Sequence, residues 1–293
     1  MRNIYILDWS WYMFRAYHGL PEMVWPDGVN VNAIFGFFKM IIKLLQTKPD
    51  RLIITRDGPK KTFRHEANPD YKWQRPPLAD EFVNQIKVIK SLTQQLGLIC
   101  YQVDGYEADD VIYTLACKLP SDYLTIFTSD KDIKQLLQYD HIKISDPAKN
   151  ITYSHKDFVQ EYWFEPQFMV DYISLIWDSA DNLKWVRGIW PKTASNLIQK
   201  YHTIDKIYNH LDELPLSISS KLINDKDTLY ATRSLVELAT IDDIDMSTIW
   251  LENKLDIRLY KDIFLNQYRF ASYKNLLQEL ESKYSMVQGS LFG

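Results

Sequence analysis

Tyr123-Leu124-Thr125-Ile126-Phe127-Thr128-Ser129-Asp130-Lys131-Asp132 is a short apolar run of strand formers that stops on two acids, and a helical pattern over Asp130–Gln138 follows it. The same arrangement recurs along the first half of the chain. Asn3–Leu7 stops at Asp8 and leads into a helical stretch around Tyr12–His18, and Leu52–Thr55 stops near Asp57. Leu98–Val103 runs through Asp104-Gly105-Tyr106 into Glu107-Ala108-Asp109-Asp110, which opens a helix to Lys118. Between these runs, Asn30–Thr47 and Leu78–Leu96 carry apolar residues at helical spacing. Strands that alternate with helices imply an α/β fold, a mostly parallel sheet flanked by helices. Beyond about residue 154 the β runs fade, and helical patterns continue to the end.

The 293 residues suffice for one large domain or two smaller ones, each with its own core. No run approaches the roughly 18 consecutive apolar residues of a membrane span. An acid at position 8 comes too early for a signal peptide. Cys100 and Cys117 lie in apolar segments, match no metal-ligand spacing and read as reduced, buried thiols of a cytoplasmic protein, which excludes a disulfide framework. The net charge of −4 argues against indiscriminate nucleic-acid binding. The chain holds 9 glycines and 9 tryptophans; glycine at about 3% is under half its usual share.

In a parallel sheet the ligand site lies beyond the carboxyl ends of the strands. Asp8, Asp57, Glu107, Asp109, Asp110, Asp130 and Asp132 stand there, and Asp178 and Asp181 form a further pair before Asn182. Like charges brought together raise one another's pKa and repel, so nine converging carboxylates call for cations. All-oxygen sites suit Mg²⁺ or Mn²⁺ rather than zinc. Setting those nine aside leaves 29 acids against 34 basic residues, a balance of +5. That excess is local. It falls on Arg56–Arg75, with Lys60, Lys61, Arg64 and Lys72, and on Leu183–Ile204, with Lys184, Arg187, Lys192 and Lys200 and no acid. Two basic segments beside an acidic crevice suggest binding of a phosphate backbone.

These residues carry a resemblance. Leu7-Asp8 with Phe14-Arg15-Ala16-Tyr17-His18 is the first segment; Asp57 with Thr62-Phe63-Arg64, Tyr71-Lys72 and Arg75-Pro76-Pro77 is the second. Glu107–Asp110, Thr128–Asp132 with Gln135-Leu136, and Asp178-Ser179-Ala180-Asp181-Asn182 leading to Gly188-Ile189 and Pro191-Lys192-Thr193-Ala194 complete five ordered motifs. From Ile4 to about Ala239 the chain resembles the 5′-nucleases: the 5′→3′ exonuclease domain of bacterial DNA polymerase I, phage 5′-exonucleases and flap endonucleases. With no polymerase domain following, a stand-alone nuclease is expected. The resemblance implies a PIN-like nuclease core over 1–165 with a helical arch at about 60–77. A helical DNA-binding part over 166–280 would contain a helix–three-turn–helix at about 183–200, and a tail would occupy 281–293.

The resemblance also implies roles. Asp8, Asp57, Glu107 and Asp109 would hold one metal ion, and Asp130, Asp132, Asp178 and Asp181 a second, with Asp109 or Asp110 between them. Lys72 and Arg75 match arch residues that reach the scissile phosphate, where positive charge stabilises the transition state. Phe14 matches an aromatic that stacks on a base beside the cut, and Arg64 is a candidate phosphate contact. Lys184, Arg187, Gly188, Lys192 and Thr193 fall in the segment resembling the hairpin that grips duplex backbone, where the family often carries a K⁺ ion. Recognition would be of shape and a free 5′ end. Gln288-Gly289-Ser290-Leu291-Phe292 resembles the bacterial sliding-clamp-binding pentapeptide, with Gln288, Leu291 and Phe292 as its contacts.

Tryptophan occupies places where the family carries glycine: Trp9, Trp177, Trp185 and Trp190, with Trp73 and Trp163 where relatives often have it. The one-way pattern points to a gene in which UGA encodes glycine and has been read as tryptophan. Restoring glycine at all nine tryptophans would give 18, about 6% and near the ordinary level; UGG codons at the four positions would refute it. The reading as a whole is a monomeric, metal-dependent 5′-nuclease acting on DNA flaps, nicks and RNA primers in replication and repair. A non-catalytic DNA-junction binder recruited to the clamp, or a related ribonuclease, are the alternatives.

Overall fold

A computed structural model of the chain describes residues 1–25, 28–176, 186–250 and 255–289, with side chains to residue 285. In chain order the first elements are β1 (Asn3–Asp8), α1 (Trp9–His18), α2 (Asn32–Leu45), β2 (Arg51–Arg56), α3 (Phe63–Ala67), α4 (Asp80–Gln95), β3 (Ile99–Gln102) and α5 (Ala108–Lys118). Then come β4 (Tyr123–Phe127), β5 (Ile142–Asp146), β6 (Ile151–Tyr153), α6 (His155–Tyr162), α7 (Met169–Leu175), α8 (Pro191–Tyr201), α9 (Ile204–Asn209), α10 (Leu216–Asn224), α11 (Lys226–Val236), α12 (Ile257–Lys261) and α13 (Tyr273–Gly289). The fold class is as the sequence implies: α/β, mostly parallel, with a helical second half.

Two compact units arise from interleaved stretches of chain. The first combines Met1–Arg56, Pro77–Tyr101 and Asp243–Gly293; the second combines Asp57–Pro76 with Gln102–Asp242. In the first, β1 and β2 pair in parallel with Asp8 opposite Thr55. Its core is α2, whose Ala33, Phe37, Phe38, Ile41 and Ile42 are fully buried because the helix is apolar on nearly every side. Val31, at the N-cap of α2, has no capping side chain; Asn30 accepts the Asn32 N–H at 3.1 Å, and Asn32 and Gln85 of α4 both accept the Ala33 N–H at 2.8 Å. The C-terminal α13 packs on α2, where Tyr273 donates to the Phe35 carbonyl and Gln46 Nε2 donates to the Leu276 carbonyl at 2.8 Å.

In the second unit β4 and β5 are parallel and β6 returns antiparallel to β5. The last two strands lack the mostly apolar run that marks β1, β2 and β4: β5 alternates apolar and polar residues over five positions, and β6 has three residues. The expected helix over Asp130–Gln138 is a 3₁₀ turn that begins only at Asp132. Side chains explain the delay. Thr128 Oγ1 accepts the Asp130 N–H at 3.1 Å and Asp130 Oδ1 accepts the Asp132 N–H at 2.8 Å, so local turns displace the first helical bonds. The segment expected as a helical arch holds one short helix, α3, followed by turns through Arg75.

Candidate active site

The second unit assembles its acids around the N-terminus of α5. Glu107 is the N-cap of that helix and shares a capping box with Asp110, whose Oδ2 accepts the Glu107 N–H at 3.1 Å. Asp57 Oδ1 accepts the next donor, Ala108 N–H, at 2.9 Å. Three negative side chains thus meet the positive end of one helix dipole, where charge of that sign is favoured. Gly58 makes the approach of its segment to the β3 end workable: a Cβ there would stand 2.2 Å from the Val103 carbonyl oxygen.

Cations from the arch segment compensate the cluster. Lys72 Nζ lies 3.0 Å from Glu107 Oε1, and the Tyr71 hydroxyl donates to Oε2 at 3.1 Å. Arg64 forms a bidentate pair with Asp110 at 2.7 and 2.8 Å, and its Nη1 lies 3.6 Å from Glu107. Its remaining donors reach the Leu235 carbonyl at 2.7 Å and the Glu237 carbonyl at 3.0 Å. Burial works against the Arg64 charge, but the hydrogen bonds and charge of Asp110 raise its pKa above the usual arginine value. Here the structure differs from the sequence expectation. Arg64 is 2% exposed and Asp110 is fully buried, so this arginine is a core strut with its fork already spent and offers nothing to a solvent-borne phosphate.

Glu107, Asp109 and Asp132 line one cleft together with Tyr71, Arg64 and the Leu235–Leu238 segment. The donor chemistry fits a hard divalent cation, since every candidate ligand is a carboxylate. Spacing does not yet form a ligand set: among the described residues no group of three or more His, Cys, Asp or Glu stands close enough to hold an ion. Arg64 stands between Asp110 and Glu107, and Lys72 rests against Glu107. Asp178 and Asp181 lie outside the described residues. Asp8 belongs to the first unit, where it is buried and caps α1 by accepting the Trp11 N–H at 3.3 Å.

Asp130 is exposed at the end of the β4 loop, and the loop is tied to β5 by Ser129, whose hydroxyl donates to Asp146 at 2.5 Å. Burial disfavours the Asp146 charge, yet the Ser129 hydroxyl, the N–H groups of Lys149 and Ala148 and the Lys149 ammonium hold its pKa below the ordinary carboxylate value. Asp146 went unread in the sequence because β5 did; an acid ending an alternating run, Ile142-Lys143-Ile144-Ser145-Asp146, was its signal.

The nucleic-acid candidates occupy varied settings. Phe14 is 43% exposed on α1, edge-on to Phe82 with ring centroids 5.4 Å apart. Arg75 is exposed at the end of the arch turns. Arg187 donates its N–H to Asp225 at 3.0 Å, beside Gly188 at φ +80°, and Lys192 and Thr193 stand in the first turn of α8. Lys184, Leu291 and Phe292 lie outside the described residues, as does the side chain of Gln288.

Comparison with known proteins agrees over nearly the whole length. Residues 3–163 match the 5′-3′ exonuclease N-terminal resolvase-like domain, and residues 164–255 match the 5′-3′ exonuclease C-terminal SAM fold. A 5′-3′ exonuclease of Aquifex aeolicus (strain VF5) is 32% identical over 286 residues, 97% of this chain and 93% of that protein. The thermostable DNA polymerase I of Thermus aquaticus is 31% identical over 96% of this chain but only 33% of its own length. Among solved structures, the bacteriophage T5 flap endonuclease in a pseudo-enzyme-product complex with DNA and metal ions has a TM-score of 0.67 at 20% identity, covering 96% of this chain and 100% of that one. The catalytic core of Rad2 in complex with DNA substrate has a TM-score of 0.66 at 16% identity, covering 95% and 92%. The structural likeness establishes the fold; the sequence matches go further, and by them this chain belongs to the 5′-3′ exonuclease family.

Proposed function

We propose that the chain is a divalent-metal-dependent, structure-selective 5′→3′ exonuclease and 5′-flap endonuclease that hydrolyses phosphodiesters by a two-metal mechanism. The observation that carries this reading is the cleft of Glu107, Asp109 and Asp132 with the arch lysine, Lys72, resting on Glu107. Two Mg²⁺ or Mn²⁺ ions, held by Asp8, Asp57, Glu107, Asp109, Asp110, Asp130, Asp132, Asp178 and Asp181, would supply an activated water and charge stabilisation at the leaving 3′-oxygen. Asp110, whose carboxylate accepts the Glu107 N–H and already faces Arg64, would join that set through water. Lys72 would exchange Glu107 for the scissile phosphate, and Arg75 would join it from the exposed turn, concentrating positive charge where the transition state gains negative charge.

Duplex DNA would be held through Arg187, Gly188, Lys192 and Thr193, with Lys184 and a K⁺ ion at the same hairpin, and Phe14 would stack beside the cut. Such contacts read backbone and shape rather than sequence. The biological reading is removal of flaps and RNA primers by a cytoplasmic monomer in replication and repair. Recruitment to a sliding clamp would use Gln288, Leu291 and Phe292. A gel assay on 5′-labelled flap DNA tests the core of this. Cleavage with Mg²⁺, its loss with chelator, and a fall of at least about a thousandfold in Asp130→Ala are expected. Chelator-resistant cleavage, or an unimpaired Asp130→Ala, would refute it.

A further inference from the structure

A polar cavity of about 90 Å³ lies behind the acid loop, lined in part by Ser129, Asp130, Lys134, Asp146, Glu161 and Tyr162. Two of these are charged groups taken almost wholly out of water: Asp146 is 4% exposed and Lys134 7%. Burying a charge costs several kcal/mol unless its partners are complete, so the partners indicate what each charge is for. Asp146 ends β5 and accepts the Ser129 hydroxyl at 2.5 Å and the N–H groups of Ala148 and Lys149 at 3.0 and 3.3 Å, with Lys149 Nζ at 3.6 Å. Lys134 reaches Glu161 Oε1 and Oε2 at 3.2 and 3.3 Å and the Tyr162 hydroxyl at 3.2 Å, and its ammonium lies 4.2 Å from the Tyr153 ring centroid.

These two grips fall on either side of the acids. Ser129 precedes Asp130 and Lys134 follows Asp132, so the loop is fastened upstream to β5 and downstream to α6. Within it, the bonds from Asp130 N–H to Thr128 Oγ1 and from Asp132 N–H to Asp130 Oδ1 fix one acid against the other. A hydrogen bond to a buried carboxylate is among the strong ones, and the Ser129–Asp146 bond adds a side-chain link just past the last backbone bond between β4 and β5, from the Thr128 N–H to the Ser145 carbonyl at 3.1 Å.

We infer that Asp146 is a positioning residue for the nuclease: through Ser129 it sets where Asp130 and Asp132 stand, and so sets the affinity of that pair for a divalent cation. The inference rests on the proposed metal-dependent function. Outer hydrogen bonds of this kind typically govern about ten- to a hundredfold in metal affinity. Binding of Mn²⁺ alone, followed by electron paramagnetic resonance on the full chain without DNA, tests it apart from activity. Asp146→Ala should weaken Mn²⁺ binding about tenfold. Ser129→Ala, which keeps every charge and removes one hydroxyl, should weaken it about fivefold, the worth of one hydrogen bond. Asp146→Asn retains an oxygen toward Ser129 and should recover most of the loss.

Thermal unfolding of each variant confirms that it is folded, and if Asp146→Ala does not fold, Ser129→Ala decides alone. Mn²⁺ affinity in Ser129→Ala and in folded Asp146→Ala within about twofold of wild type would overturn the inference while flap cleavage by the wild type left the function standing. An Asp146→Asn as weak as Asp146→Ala would assign the effect to charge rather than to the tether and overturn it too. A wild-type chain that neither binds Mn²⁺ nor cleaves flaps would remove the functional reading and the inference together.

Discussion

Trp163 closes α6 with φ at +64°, in the left-handed region, and holds its indole 74% exposed. An L-residue there costs roughly 1–2 kcal/mol, and the exposed ring returns little packing. Trp163→Gly should therefore raise stability by about 1 kcal/mol after glycine's greater unfolded-state entropy is counted, a rise of about 2–4 °C in Tm by calorimetry. An unchanged or lower Tm would contradict this. Trp9 behaves oppositely: it is buried, with its ring centroid 4.9 Å from that of Phe37 and the Arg56 guanidinium over its face. The structure thus separates two of the tryptophans that the resemblance sets against glycine; Trp177 and Trp185 lie outside the described residues. At 163 the backbone itself asks for glycine, while at 9 the core is built around the indole. Composition drew attention to these residues, but a backbone angle and burial separate them, and no sequence pattern carries φ.

At the scale of elements, α3, α5 and the Leu235–Glu237 end of α11 meet on a single guanidinium. Arg64 spends its fork on Asp110 of α5 and its other donors on two carbonyls, while Asp110 also accepts the Ala239 N–H at 2.9 Å. Removing one partner of a buried pair leaves the other charge uncompensated, so Arg64→Ala should cost about 3–5 kcal/mol in urea unfolding. Arg64→Lys keeps the charge without the fork and should lose less. A cost below about 1 kcal/mol for Arg64→Ala would show the joint to be dispensable. In sequence Arg64 is one cation in a basic segment, which is why it reads as a phosphate contact; its partner lies 46 positions away. Strand ends were more legible. The acids after β1, β2 and β4 announce themselves because a mostly apolar run ends on them, whereas β5 alternates with polar residues and β6 has only three residues, and Asp146 was hidden with them.

For the molecule as a whole, the resemblance implies a nuclease core followed by a helical remainder, whereas the two compact units interleave stretches from both halves of the chain. The first unit needs α13: Tyr273 is buried against Phe35, and Gln46 and Tyr284 tie α13 to the end of α2. A chain stopped after Asp242 would bare this face of α2. It should lose near-UV circular dichroism and bind a hydrophobic dye; a cooperative, native-like unfolding transition in that truncation would refute the dependence.

The same interleaving sets a timetable for synthesis. All of the second unit has been translated once Asp242 is added, but the first unit begins at Met1 and receives its last piece only with Asp243–Gly293. At roughly 5–20 residues per second, β1 and α2 wait on the order of ten seconds or more for α13. The part of the chain made first is therefore the part finished last, and through that interval the apolar face of α2 is left to whatever the cell provides to cover it.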